Sequence, residues 1–339
     1  MRGARAHLRV VLGYVALGFA FAAPARAETD PCAREATVSP CFDANPLWIP
    51  TAPTPFAAVP SARALAPGAL SLVLAADYSD RPVVLVTPSP HPDGQEIDVV
   101  RGTSTLTLGA RYGVLPGIDV GLALPFVPFQ TGAGTQSVTD QHADPLTPVT
   151  LRDPRLELGA TLLGRRRNEP FALGSHLTLG VPLGNERALA GAASFLVAPG
   201  LTAELDLPRV ALGADLGWRI TRAVAFGSVR EGSAVTAALA VSVTLLEHPA
   251  LALGAEAFLA AHLVAPPPGL PEDTLDLPAE WLATLRLAPA TDWSFLVAGG
   301  SGIPLSQVHN PGGAPQAALG VTSPDFRVVA LARYSLDAL

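Results

Sequence analysis

The chain has 339 residues, of which 49% are hydrophobic and 15% charged, and its 22 basic residues, all arginine, face 29 acidic ones. A net charge of −7 repels phosphate backbones, and no arginine cluster is interleaved with aromatics, so nucleic acid is excluded as a partner. The apolar content is high for a water-soluble domain, yet past residue 27 no apolar run reaches the roughly 20 residues that a spanning helix needs.

Residues 1–27 read as a secretory signal. Arg2, Arg5 and Arg9 make a basic start, Val10 to Ala23 an apolar stretch, and Ala25-Arg26-Ala27 the small residues before a cleavage point. The mature chain is expected to begin at Glu28, with 18 arginines and a net charge of −11. Residue 28 is not cysteine, so a lipoprotein anchor has no acceptor thiol. Cys32 and Cys41 are the only cysteines. In an oxidising periplasm they suit a small closed loop, with a pair of free thiols as the alternative.

Residues 28–68 are rich in proline (PLWIPTAPTPF) and carry neither helical nor strand period, which suits a periplasmic linker, arm or plug. From Ala69 to Leu339 the texture changes to segments of alternating apolar and small or polar residues. In the first, Leu70, Leu72, Leu74, Ala76 and Tyr78 oppose Ser71, Ala75, Asp77 and Ser79. In the second, Val100, Gly102, Ser104, Leu106, Leu108, Ala110 and Tyr112 oppose Arg101, Thr103, Thr105, Thr107, Gly109 and Arg111. A period of two puts these sets on opposite faces.

About twelve such segments are expected; they begin near Ala69, Glu96, Ile118, Asp153, Phe171, Ala193, Arg209, Ser233, Leu251, Asp276, Thr291 and Pro324. The alanines of Ser233 to Leu246 suit a helix equally well, but Thr236, Ser242 and Thr244 share one parity and mark a strand. Short connections such as Leu115-Pro116-Gly117 and Asp206-Leu207-Pro208 alternate with long ones around residues 87–95, 131–149, 184–192, 222–232, 265–275 and 304–323. Short turns on one rim and long loops on the other predict an all-β, closed antiparallel transmembrane barrel of the bacterial outer membrane, its short turns periplasmic and its loops extracellular. Closure follows because an unpaired backbone group in hydrocarbon costs several kcal/mol.

Setting the apolar face towards lipid turns Arg111, Glu157, Glu204, Asp215, Arg219, Glu256, Glu280, Arg286, Arg327 and Arg333 into the lumen, together with His262. Both signs are present, so they can pair across strands or line a narrow pore. Trp218, Trp281, Trp293, Phe326 and Tyr334 fall outward, several near strand ends where an aromatic girdle belongs.

No catalytic, cofactor or metal site is expected. A lipid-facing Ser/His/Asp arrangement like that of outer-membrane phospholipases would need a histidine beside a serine on the outer face, whereas His176 and His262 point inward and His91, His142, His248 and His309 lie in loops or turns. Asp140, His142 and Asp144 read as a solvated acidic loop and Arg165-Arg166-Arg167 as a polar turn at the membrane rim.

The segments GVTSPDFRVVALARYSL, DPRLELGATLLG, HLTLGVPLGN, VALGADLGWRI and RYGVLPGIDVGLALP resemble, in order and spacing across residues 69–336, the N-terminal barrels of outer membrane protein A family proteins from myxobacteria and their relatives. That resemblance implies membrane insertion; the calcium-binding repeats and peptidoglycan-binding domain that usually follow such barrels have no residues here. The expected function is a porin-like passive channel for small solutes, with outer-membrane lipid as surroundings and the barrel-assembly machinery as partner during insertion. The alternative is a non-conducting structural or interaction barrel whose lumen is filled by residues 28–67. A soluble periplasmic β protein is disfavoured by the low charge content.

Overall fold

A computed structural model describes Cys32 and residues 38–87, 95–135, 146–164, 169–227, 229–262, 277–303 and 319–336. The architecture is that of the unit Ala36–Leu339; of the separate unit Met1–Glu35 only Cys32 is described, and it is buried and disulfide-bonded. Cys41 is likewise in a disulfide.

Twelve long strands form a closed antiparallel barrel. They are β1 Leu70–Thr87, β2 Gln95–Leu115, β3 Ile118–Thr131, β4 Arg155–Leu163, β5 Phe171–Gly180 and β6 Leu196–Asp206. The remainder are β7 Val210–Arg219, β8 Ala234–Glu247, β9 Ala250–His262, β10 Ala279–Ala290, β11 Trp293–Ile303 and β12 Phe326–Leu336. Each strand pairs with its chain neighbours, and β1 pairs with β12 from Leu70↔Leu336 to Asp80↔Phe326, so no long edge is left open. The alanine-rich stretch is strand β8, held on both sides by β7 and β9. No α-helix occurs among the described residues.

Connections alternate as the turn chemistry demands. Pro116-Gly117, residues 207–209, His248-Pro249 and Thr291-Asp292 are tight, and Gly117 takes φ 81°, a left-handed conformation that a Cβ disfavours. The opposite rim carries the longer loops, among them the hairpin Val224–Phe226/Val229–Glu231. Here β1 and β2 extend beyond the wall after a register shift between Asp80 and Val83. Arg81 there bonds Glu96, Asp98 and Asp325, and Arg101, placed by its parity on the inner face, is exposed instead at that register shift, where the alternation of β2 is interrupted.

The outer surface is an apolar belt. Leu72, Leu74, Leu108, Val120, Leu158, Leu201, Leu216, Leu239, Leu253, Leu285 and Val328 are all exposed, an arrangement that water would penalise and acyl chains welcome. Trp218, Trp281 and Phe326 stand on this face near the long-loop rim, while Trp293 stacks on Phe295 at 5.7 Å and packs against Tyr334 at 4.8 Å near the short-turn rim.

Candidate functional site

The lumen is not empty. Residues 38–68 run through it as an irregular extended chain, from the long-loop rim, where Val38 bridges Phe226 and Asp43 bridges Ala190, to the short-turn rim, where Gly68 N–H donates to Gly113 O. Of the linker, arm and plug that the sequence left open, an arm confined to the periplasmic side would leave these inward groups without partners. The segment contains seven prolines, each removing an N–H that a buried chain would otherwise have to satisfy.

The wall fastens this segment with charge. Near the long-loop rim the Arg152 guanidinium donates to Asp43 Oδ2 at 2.5 Å and to Asn45 O at 2.8 Å. The buried Arg327 makes two bonds to Glu280, at 2.6 and 2.9 Å, and one each to Asp77 and to Asn45 Oδ1, both 2.9 Å. Midway, Arg111 pairs with Asp119 and Glu157, both at 2.8 Å, and Thr51 Oγ1 donates to the same Glu157 at 2.5 Å. Lower still, Glu256 accepts the Ala57 and Ala58 amides at 2.6 and 2.7 Å, and Arg333 donates to Thr54 O and Phe56 O. At the exit Arg63 pairs with Glu204 and Asp206, and Leu65 N–H donates to Asp119. Charge-assisted bonds of this kind are about twice as strong as neutral ones.

Apolar packing joins them on one side. Leu47, Ile49 and Ala57 bury against Val73, Ala75, Leu282, Leu296, Ala298, Val329 and Leu331 of β1 and β10–β12. Gly213 on β7 is one place where the segment presses close: a Cβ there would lie 2.5 Å from the Phe56 ring. The inner face is therefore not uniformly polar. On β10–β12 the outer face is apolar towards the membrane, while the inner face sets apolar residues against the segment between Glu280, Arg286, Arg327 and Arg333.

The other side is looser. A cavity of about 110 Å³ lies between the segment and the wall, lined by Arg111, Glu157, His176, Asp215 and Phe258. A second, of about 80 Å³, reaches towards the loops past Asp43, Asp153, Arg155, Glu231 and His262. Trp48 and Arg219 line both. Within them His176 Nε2 lies 2.9 Å from Asp215, whose carboxylate also accepts Thr202, and His262 lies 3.3 Å from Glu231.

This fold has known counterparts. The chain is similar to an outer membrane channel from Pseudomonas putida F1, at 13% identity and a TM-score of 0.55, over 81% of this chain and 98% of that one. It aligns more distantly with the KdgM porin, at 9% identity and a TM-score of 0.42 over 78% and 99% of the two chains. A Pseudomonas aeruginosa FadL homologue gives 11% identity and 0.37 over 80% and 91%. No family model and no curated protein matches. The fold is that of an outer-membrane barrel.

The ten lumen charges named from parity do not form one ring. Arg111 and Glu157 pair with each other; Glu280 and Arg327 do the same; Glu204, Arg219, Glu256 and Arg333 bind the segment, and Asp215 takes His176. Arg286 stands inward on β10 in no ion pair among the described residues, its Nε buried and unsatisfied. Asp77 and Asp119 follow the same parity and were legible in principle. Arg152, in a loop, and Asn45 and Trp48, in an aperiodic segment, gave no periodic signal. Asp140, His142, Asp144, Arg165, Arg166, Arg167 and residues 1–27 lie outside the described residues.

Proposed function

We propose that this protein is a passive channel for small solutes in the bacterial outer membrane, delivered by a cleaved signal peptide and inserted by the barrel-assembly machinery, with its own residues 38–68 as a plug. The observation that carries this reading is the lumen itself. A twelve-stranded wall is wide enough to hold a threaded segment, and two cavities remain beside it. The inward charges Arg111, Glu157, Glu204, Asp215, Arg219, Glu256, Glu280, Arg286, Arg327 and Arg333 then have two tasks, holding the plug and setting charge selectivity in what stays open. The similarity to channel barrels supports the same reading, as does the sequence resemblance to the myxobacterial barrels.

Planar bilayers test it. The full chain should conduct weakly, and a chain lacking residues 38–67 should conduct much more at the same voltage. Absence of conductance in both would defeat the channel; equal conductance would defeat the plug. One observation favours a second reading, a closed structural barrel: nearly every inward carboxylate already has a partner, as Glu256 and Glu280 show. That reading expects silence from the full chain and conductance only after deletion.

A further inference from the structure

We propose that Arg155 and Arg219 form an anion-binding constriction near the outer end of the lumen, and that Trp48 of the plug is its gate. The proposal rests on the channel reading and narrows it to one passage and one class of solute, small inorganic or carboxylate anions.

Both arginines stand at the long-loop ends of their strands, Arg155 opening β4 and Arg219 closing β7. Between them sits the Trp48 indole, with the Arg219 guanidinium carbon 3.9 Å and the Arg155 carbon 4.9 Å from the ring. A cation over an indole face is attracted by the ring quadrupole, the more so where water is excluded. Arg155 is 3% exposed, makes no side-chain hydrogen bond or ion pair among the described residues, and keeps a buried Nε without an acceptor. Asp43, Asp153 and Glu157 act on this guanidinium only through space, so its buried Nε still lacks an acceptor, which a bound anion would supply.

The position matters as much as the charge. Trp48 and Arg219 line both cavities, so the indole stands where the outer space meets the inner one. The plug is fastened on either side of the ring, by Arg219 to Pro46 O at 2.8 Å and by the Thr51 hydroxyl to Glu157, whereas the indole N–H makes no hydrogen bond among the described residues. Turning the side chain away thus breaks no hydrogen bond and leaves the plug in place. It joins the two cavities and bares two guanidiniums to whatever enters.

The test uses the full chain in planar bilayers under a potassium chloride gradient. Trp48→Ala should raise conductance severalfold and move the reversal potential towards that of chloride; adding Arg155→Gln should keep the conductance and cancel the move. Trp48→Phe, which keeps a ring between the arginines, should behave as the parent, and heat-modifiable gel migration checks that each variant is folded. Folded Trp48→Ala with unchanged conductance, or a reversal potential shifted towards potassium, overturns the proposal. The plug reading is judged separately, since deletion of residues 38–67 opens the lumen whatever Trp48 does.

Discussion

The two sides of the lumen treat the same segment differently. Against β1 and β10–β12 the plug is dry: Leu47 and Ile49 pack on Leu282, Leu296 and Leu331, and Arg327 is fully enclosed by Glu280, Asp77 and Asn45. Against β4–β9 it leaves two cavities, and the polar groups there, His176 with Asp215 and Trp48 with its arginines, meet across open space. The first side holds the segment by apolar packing as well as charge; the second holds it by polar bonds from Glu157, Glu204, Arg219 and Glu256, and leaves room for passage. A segment that needs both must be amphipathic across its width, without the help of a regular period.

The sharpest way to break this contrast is at Arg327. Arg327→Ala leaves Glu280 and Asp77 buried without their cation, so the detergent-solubilised barrel should lose about 3–5 kcal/mol in denaturant unfolding. A loss under about 1 kcal/mol would show that water reaches the site and that the dry side is not dry. Ile49→Ala, in the same interface but on the plug, should cost about 2–5 kcal/mol of docking. It is read as more frequent openings in single-channel records, with the barrel's own unfolding little changed.

Gly213→Val tests the close approach of Phe56 to β7. Overpacking there should cost about 1–3 kcal/mol and displace the plug, raising conductance without changing the wall. On the open side, His176→Ala should cost only about 1 kcal/mol, because its single bond to Asp215 is partly wet. Equal costs for His176→Ala and Arg327→Ala would erase the distinction between the sides.

The smallest effect expected is a pH dependence at the outer hairpin. Burial pushes the Glu231 carboxyl up to about 7, against the pull of the Thr322 hydrogen bond and of Arg219, while Asp43 adds to the rise. Since the folded state holds this proton more tightly than the unfolded one, the contribution is fully present below the ordinary value of 4.5 and is lost as pH rises through about 7. Amide exchange across residues 224–231 should therefore be slower near about pH 5 than near about pH 8, relative to the intrinsic rates. Glu231→Gln should remove the difference.

The wall was legible in the sequence residue by residue. Strand starts fall within three positions of those read from alternation, as with Asp276 against Ala279 and Ala193 against Leu196. Lipid enforces this clarity, because each outward side chain meets the same solvent and a slip by one residue would turn Leu72 or Leu74 into the lumen. Parity likewise placed Glu157, Glu256, Glu280, Arg327 and Arg333 inside.

What parity does not carry is what stands opposite. Asn45 meets Asp77, Ala57 meets Glu256 and Trp48 meets Arg219 across 32, 199 and 171 residues of chain. The plug has no period, since an extended proline-rich chain makes its contacts wherever the wall offers one. Alternation alone thus determined a closed barrel, which face meets the membrane and which charges turn inward. Only the tertiary structure decided that the arm enters the lumen, and on which side it packs. Those outcomes depend on partners remote in sequence, where burial is shared between two surfaces and neither shows it alone.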